Sequence, residues 1–137
     1  MMNRSQKFLG ITLMASLLCG FTPMQSEAKE YKIGGMYTYD YHDGRHADWG
    51  EYELHAAKMA IEDINASGML GGTTLDMPPE LVIDYHCWPE GAAEKARSLL
   101  KQNIIALTGV DCSGPAVLIA KEAEKFKTPV VSVRAHA

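Results

Sequence analysis

The stretch Leu-Val-Ile-Asp-Tyr-His at residues 81–86, followed after Cys-Trp by Pro-Glu-Gly-Ala-Ala-Glu-Lys-Ala-Arg-Ser-Leu-Leu at residues 89–100, passes from one periodicity to another. The first run is short, apolar and β-branched, as a buried strand is. In the second, Ala92, Ala93, Ala96, Leu99 and Leu100 share one face at helical spacing. Pro89 suits a first helical turn, where no backbone N–H is needed. A strand that hands over directly to a helix is the repeating unit of an α/β fold.

The same unit recurs on both sides. Upstream, Lys32 to Thr38 reads as a strand, and Trp49 to Ala66 places Leu54, Ala57, Ile61 and Ile64 at helical spacing, with Asn65-Ala66-Ser67-Gly68 as a stop signal. Downstream, Asn103 to Thr108 is a third strand. Pro115 to Phe126 is a third helix with Val117, Ala120 and Ala123 inward, and Pro129 to Val133 is a fourth strand. The expected fold is therefore α/β, a doubly wound parallel sheet, incomplete, of about four strands and three helices, with the last strand lacking a helix to cover it. Ligands of such sheets bind beyond the carboxyl ends of the strands. Residues 39–48, His86–Trp88, Asp111–Gly114 and Arg134–Ala137 share that edge.

At 137 residues, with 47% hydrophobic and 22% charged residues, the chain has the composition of one globular domain. Residues 1–28 stand apart: Arg4 and Lys7 precede an uncharged run from Phe8 to Phe21, and Ser26-Glu27-Ala28 offers small residues for cleavage. This reads as a signal peptide ahead of a mature domain at 29–137, with a lipid anchor at Cys19 as the competing outcome. Losing Arg4, Lys7 and Glu27 moves the formal net charge from −4 to −5, so the basic footprint of a nucleic-acid binder is missing. It also leaves an even pair, Cys87 and Cys112, in an oxidising compartment, where a disulfide is the default and two buried thiols the alternative.

Chemical motifs are few. The chain has no Gly-x-Ser-x-Gly, phosphate loop or Cys-x-x-Cys, which leaves hydrolase, nucleotide-binding and thioredoxin readings without residues; an enzyme is not expected. Gly68, Gly71 and Gly72 follow a helix, and so read as turn glycines instead of a dinucleotide fingerprint. His42 and His46, flanked by Asp40 and Asp43, raise a metal-binding alternative. Gly44 interrupts any helix that would align them, and no third ligand is set by spacing. The run from Tyr39 to Trp49 is expected to continue strand one outward, aromatic on one side, and then to border a cleft.

In order along the chain, Tyr-Lys-Ile-Gly-Gly at 31–35, Ala-Ile-Glu-Asp-Ile-Asn-Ala-Ser-Gly at 60–68, Asp-Tyr-His-Cys at 84–87, Thr-Gly-Val-Asp-Cys-Ser-Gly at 108–114 and Thr-Pro-Val-Val-Ser at 128–132 resemble one family. It is that of the periplasmic substrate-binding proteins of ABC transporters, typified by the leucine/isoleucine/valine-binding proteins (periplasmic binding protein type 1). The likeness covers part of the amino-terminal lobe only, with the second lobe absent.

The resemblance implies a periplasmic, non-enzymatic protein without cofactor. It would be a monomer that closes two lobes on a small polar solute, such as an amino acid or amide, and docks on a membrane permease. A sensory module presenting the solute to a receptor or regulator is the alternative. The implied ligand-binding residues are Ser113 and Gly114, the segment Ala135-His136, and Trp49 as an aromatic wall. The resemblance also implies a disulfide between Cys87 and Cys112, at the ends of strands two and three. If those strands are adjacent, their ends lie side by side within bridging distance. Closing the loop of about 26 residues would stabilise by ~3.5 kcal/mol on a chain-entropy estimate.

Overall fold

A computed structural model describes residues 29–136; the expected signal peptide at 1–28, Cys19 and Ala137 lie outside them. The elements are β1 (Glu30–Tyr37), α1 (Trp49–Ser67), β2 (Thr74–Asp76), β3 (Val82–Asp84), α2 (Pro89–Leu100), β4 (Ala106–Gly109), α3 (Ser113–Lys125) and β5 (Val130–Ser132). All strand pairs are parallel, with β1 central. One edge of β1 pairs with β2 along Glu30–Lys32 and then with β3 along Gly35–Tyr37; its other edge pairs with β4, which pairs in turn with β5.

The fold class stands, with five strands among the described residues where about four were expected. The extra strand is Thr74–Asp76, too short to show a period, and it is recruited by tertiary contact. Asn65, near the end of α1, donates from Nδ2 to the Leu75 carbonyl and accepts the Leu75 N–H at Oδ1, both at 2.9 Å. A side-chain amide thus mimics a strand partner and gives the Asp-Ile-Asn-Ala segment a structural duty. Gly68 caps α1 in the left-handed region at φ 67°, and the chain turns into β2.

The helices divide between the two faces. On one, Ala92, Ala96, Leu99 and Leu100 of α2 and Ile119 and Ala123 of α3 pack on Met36 and Leu107, forming the core. Full burial of a leucine or isoleucine there stabilises by about 1.5–3 kcal/mol. The inward stripe of α3 is Pro115, Ile119, Glu122 and Ala123, not Val117 and Ala120, which are exposed. Glu122 sets that rotation: it accepts from Arg97 Nε of α2 at 2.9 Å and from Lys125 at 2.7 Å, so it turns inward despite its charge.

Among the described residues α1 alone lies on the other face, with Ala57, Ile61 and Ile64 over Ile33, Ala106 and Val131 around an apolar groove of about 210 Å³. Val131 stays 56% exposed. Among the described residues no helix is long and apolar enough to cross a membrane.

Candidate functional site

The carboxyl edge is organised around one buried carboxylate. After β4, Gly109 at φ 95° and Val110 at φ 38° turn the chain back over the end of β1. A Cβ at Gly109 would lie 2.1 Å from the Met36 carbonyl oxygen, so only glycine permits this crossing. Asp111 is thereby buried, and its cost is offset by three donors: the Thr38 N–H at 2.9 Å, the Thr38 hydroxyl at 2.7 Å and the Tyr85 hydroxyl. The Tyr85 oxygen in turn accepts the Cys112 N–H at 2.8 Å. Burial first, and then the bond to Asp111, push the Tyr85 phenol above its ordinary range. Residues following β1, β3 and β4 are locked together by this one cluster.

The disulfide joins the same loops. Cys87 and Cys112 are bonded, with Cα atoms 5.6 Å apart. One part of the expectation is corrected: β3 and β4 are not adjacent but flank β1, so the bridge passes over the end of the central strand. His86 and Cys87, both left-handed at φ 59° and 52°, curl the chain toward Cys112 to make this possible.

Strand one also ends earlier than its alternation suggests. It stops at Tyr37, and Asp40 pairs with His46 in a tight antiparallel loop closed by Tyr41 N–H to the Arg45 carbonyl at 2.8 Å. Gly44, at φ 83°, supplies the turn. His42 and His46 are exposed on this loop, and His46 Nδ1 lies 3.1 Å from Asp40, which raises its pKa. Among the described residues no cluster of three ligands could hold a metal ion.

A cleft of about 440 Å³ opens on this edge. Tyr41 and Trp49 form one wall, edge to face with ring centroids 5.6 Å apart. Ser113 and Gly114, opening α3, form the other, with Arg134 and His136 above. Four of the five expected ligand-binding residues, Trp49, Ser113, Gly114 and His136, therefore line one cleft. Ala135 does not line it; its N–H donates to Ser132 Oγ at 3.2 Å. The His136 N–H donates to Ser113 Oγ at 2.8 Å, fastening the segment after β5 to the start of α3. In the first turn of α3 the N–H groups of Ser113 and Gly114 have no intrahelical acceptor, so two donors remain at the cleft wall.

Three residues that the sequence did not single out complete the site. Asp111 is its keystone, and an acid directly after a buried apolar strand was the available signal. Arg134 lies with its guanidinium carbon 4.4 Å from the Trp49 ring centroid. Glu53, four residues after Trp49 on the inward face of α1, has both carboxylate oxygens buried without a hydrogen-bond partner among the described residues. Its nearest cation is Arg134, at 3.7 Å. Burial, reinforced by the charge of Asp111 and opposed by Arg134, pushes the Glu53 pKa up to about 7.

A search of curated protein sequences finds no match. Solved structures match well in shape. The chain is similar to the branched-chain amino acid transporter substrate-binding protein of Streptococcus pneumoniae, solved with isoleucine. That match has a TM-score of 0.67 at 24% identity, over 80% of this chain and 30% of that one. A putative branched-chain amino acid ABC transporter protein of Rhodospirillum rubrum matches at TM-score 0.65 and 20% identity, over 81% of this chain and 30% of that one. A solute-binding protein of an ABC transporter from Rhodopseudomonas palustris, solved with 3,4-dihydroxybenzoic acid, matches at TM-score 0.63 and 18% identity, over 77% and 27%. At these identities the likeness is one of fold, and the chain spans about 30% of the first structure's length. The model of the receptor family ligand binding region matches residues 52–137. The chain belongs to that family, with the architecture of an amino-terminal lobe of the periplasmic binding protein type 1 fold.

Proposed function

We propose that the chain supplies the amino-terminal half-site of an extracytoplasmic solute-binding protein that delivers a small carboxylate-bearing solute to an ABC-transporter permease. The observation that carries the reading is the meeting of the two open N–H groups of Ser113 and Gly114 with Trp49 and His136 around one cleft. Backbone donors at a helix start favour an anion through both hydrogen bonds and the helix dipole. In this reading they hold the solute's carboxylate, the Ser113 hydroxyl and the His136 ring add donors, and Trp49 packs on the solute's carbon skeleton. Ala135 acts through its backbone, setting the direction of His136.

The Asp111 cluster and the disulfide keep these groups fixed, so little ordering cost falls on binding. Family membership and the shared fold with ABC-transporter solute-binding proteins support the role. Solute contact with a second lobe would favour a closed form for the permease to recognise.

The test is a titration of the full exported protein with amino acids, their amides and small aliphatic and aromatic acids, followed by calorimetry and by tryptophan fluorescence. Saturable binding of at least one carboxylate, weakened by Ser113→Ala, is expected. Silence across the panel overturns the reading.

A further inference from the structure

Arg134 is the one arginine lining the cleft among the described residues, and its surroundings position it without consuming it. The guanidinium rests on Trp49 at 4.4 Å, an arrangement that fixes the plane while leaving the N–H fork open. Its nearest carboxylate, Glu53, is 3.7 Å from Nε, beyond hydrogen-bonding distance. Glu53 is not among the residues lining the cleft, and its carboxylate oxygens are buried. With its carboxyl held up to about 7, Glu53 is a partial counter-ion near neutral pH, and it compensates the charge of Arg134 only in part.

Asp111 offers a solute nothing further in exchange, since Thr38 and Tyr85 occupy its oxygens. Arg134, on the segment after β5, stacks on Trp49 at the start of α1, whereas the Ser113–Gly114 donors open α3, and these two helices pack on opposite faces of the sheet. The cleft thus presents two anion-seeking groups approaching from two sides.

We propose that Arg134 is a specificity-determining residue that selects a solute with two acidic groups, a short dicarboxylate or an acidic amino acid, by forking onto the second carboxylate. The inference rests on the solute-binding reading above and narrows its substrate class. Trp49 and Glu53 are positioning residues for the guanidinium.

The experiment compares matched pairs on the full exported protein: glutamate against glutamine, and glutarate against its monoamide glutaramate. Affinities are measured by calorimetry for wild type, Arg134→Gln and Arg134→Lys, with circular dichroism melts to confirm folding. The wild type should prefer each diacid by about tenfold or more, as a charge-assisted pair does over a neutral one. Arg134→Gln should bring each pair to near equality, and Arg134→Lys should keep part of the preference, having charge without the fork.

A wild type that binds the monoamide as tightly as the diacid overturns the inference, as does an Arg134→Gln protein that keeps the wild-type ratio. Either result leaves solute binding intact. If no acid, amide or amino acid binds at all, the solute-binding reading fails first and takes this one with it.

Discussion

The Tyr85 hydroxyl donates to the Asp111 carboxylate while its oxygen accepts the backbone N–H of Cys112 at 2.8 Å, so one phenol ties β3 to the loop that opens α3. Tyr85→Phe keeps the ring and deletes both bonds, leaving a buried carboxylate short of a donor. The cost should be about 2–3 kcal/mol, seen as a lower urea midpoint with an unchanged slope. The folded phenol titrates above the ordinary value of 10.0, so the unfolded chain ionises first and the stability that Tyr85 confers is lost as pH climbs past 10.0. That alkaline loss should shrink in Tyr85→Phe. An unshifted midpoint at pH 7 would show that the cluster does not hold the edge.

Glu53 gives a pH dependence of the same sign at lower pH. Its carboxyl ionises near 4.5 when unfolded and near 7 when folded, so between these values the folded chain binds more protons. Stability should therefore fall as pH rises from 4.5 to 7, and Glu53→Gln should flatten that slope. Thermal melts of both proteins across this window decide the matter. Parallel curves would mean that Arg134 neutralises Glu53 far better than its 3.7 Å separation implies.

Intact mass under non-reducing, alkylating conditions should show neither Cys87 nor Cys112 modified in the exported protein. Replacing both by alanine should lower stability by about 3 kcal/mol or somewhat less. The discount comes from Cys87, left-handed at φ 52°, whose backbone can relax once the bridge is gone and so release strain. Two alkylated thiols in the exported material would refute the bond.

Much of the architecture was legible because it is written in period. Ala92, Ala96, Leu99 and Leu100 announce α2, and the observed helix begins at the expected Pro89. What period could not give is tertiary in origin. Thr74–Asp76 becomes a strand because Asn65 pairs with Leu75, and the third helix is turned by Glu122, whose two cations lie on different helices. The cleft divides the same way. Ser113, Gly114, His136 and Trp49 carry motif-level signals, whereas Arg134 and Asp111 matter through neighbours distant in sequence, and Glu53 resembles any helical glutamate until the inward face of α1 is known. The disulfide partners were legible, but not the path, since a bridge over an intervening strand requires the sheet order.

At Gly50 helix propensity and close packing pull in opposite directions. On helix propensity alone, Gly50→Ala in the first turn of α1 should stabilise, by up to about 1 kcal/mol. Its Cβ, however, would lie 2.1 Å from the Thr38 carbonyl oxygen, a backbone atom that cannot swing aside. The contact must be relieved by moving α1, and overpacking of this kind costs about 1–3 kcal/mol. Thr38 is itself anchored to Asp111, so the helix should yield and carry Trp49 and Glu53 away from Arg134. Gly50→Ala should accordingly lower the melting temperature and weaken solute binding together. Gly114→Ala provides the stability control, since its Cβ would meet Pro89 at an ordinary 3.6 Å and should leave the melt near wild type. A Gly50→Ala protein as stable as wild type would mean that the close approach of α1 to the end of β1 is not a constraint on this fold.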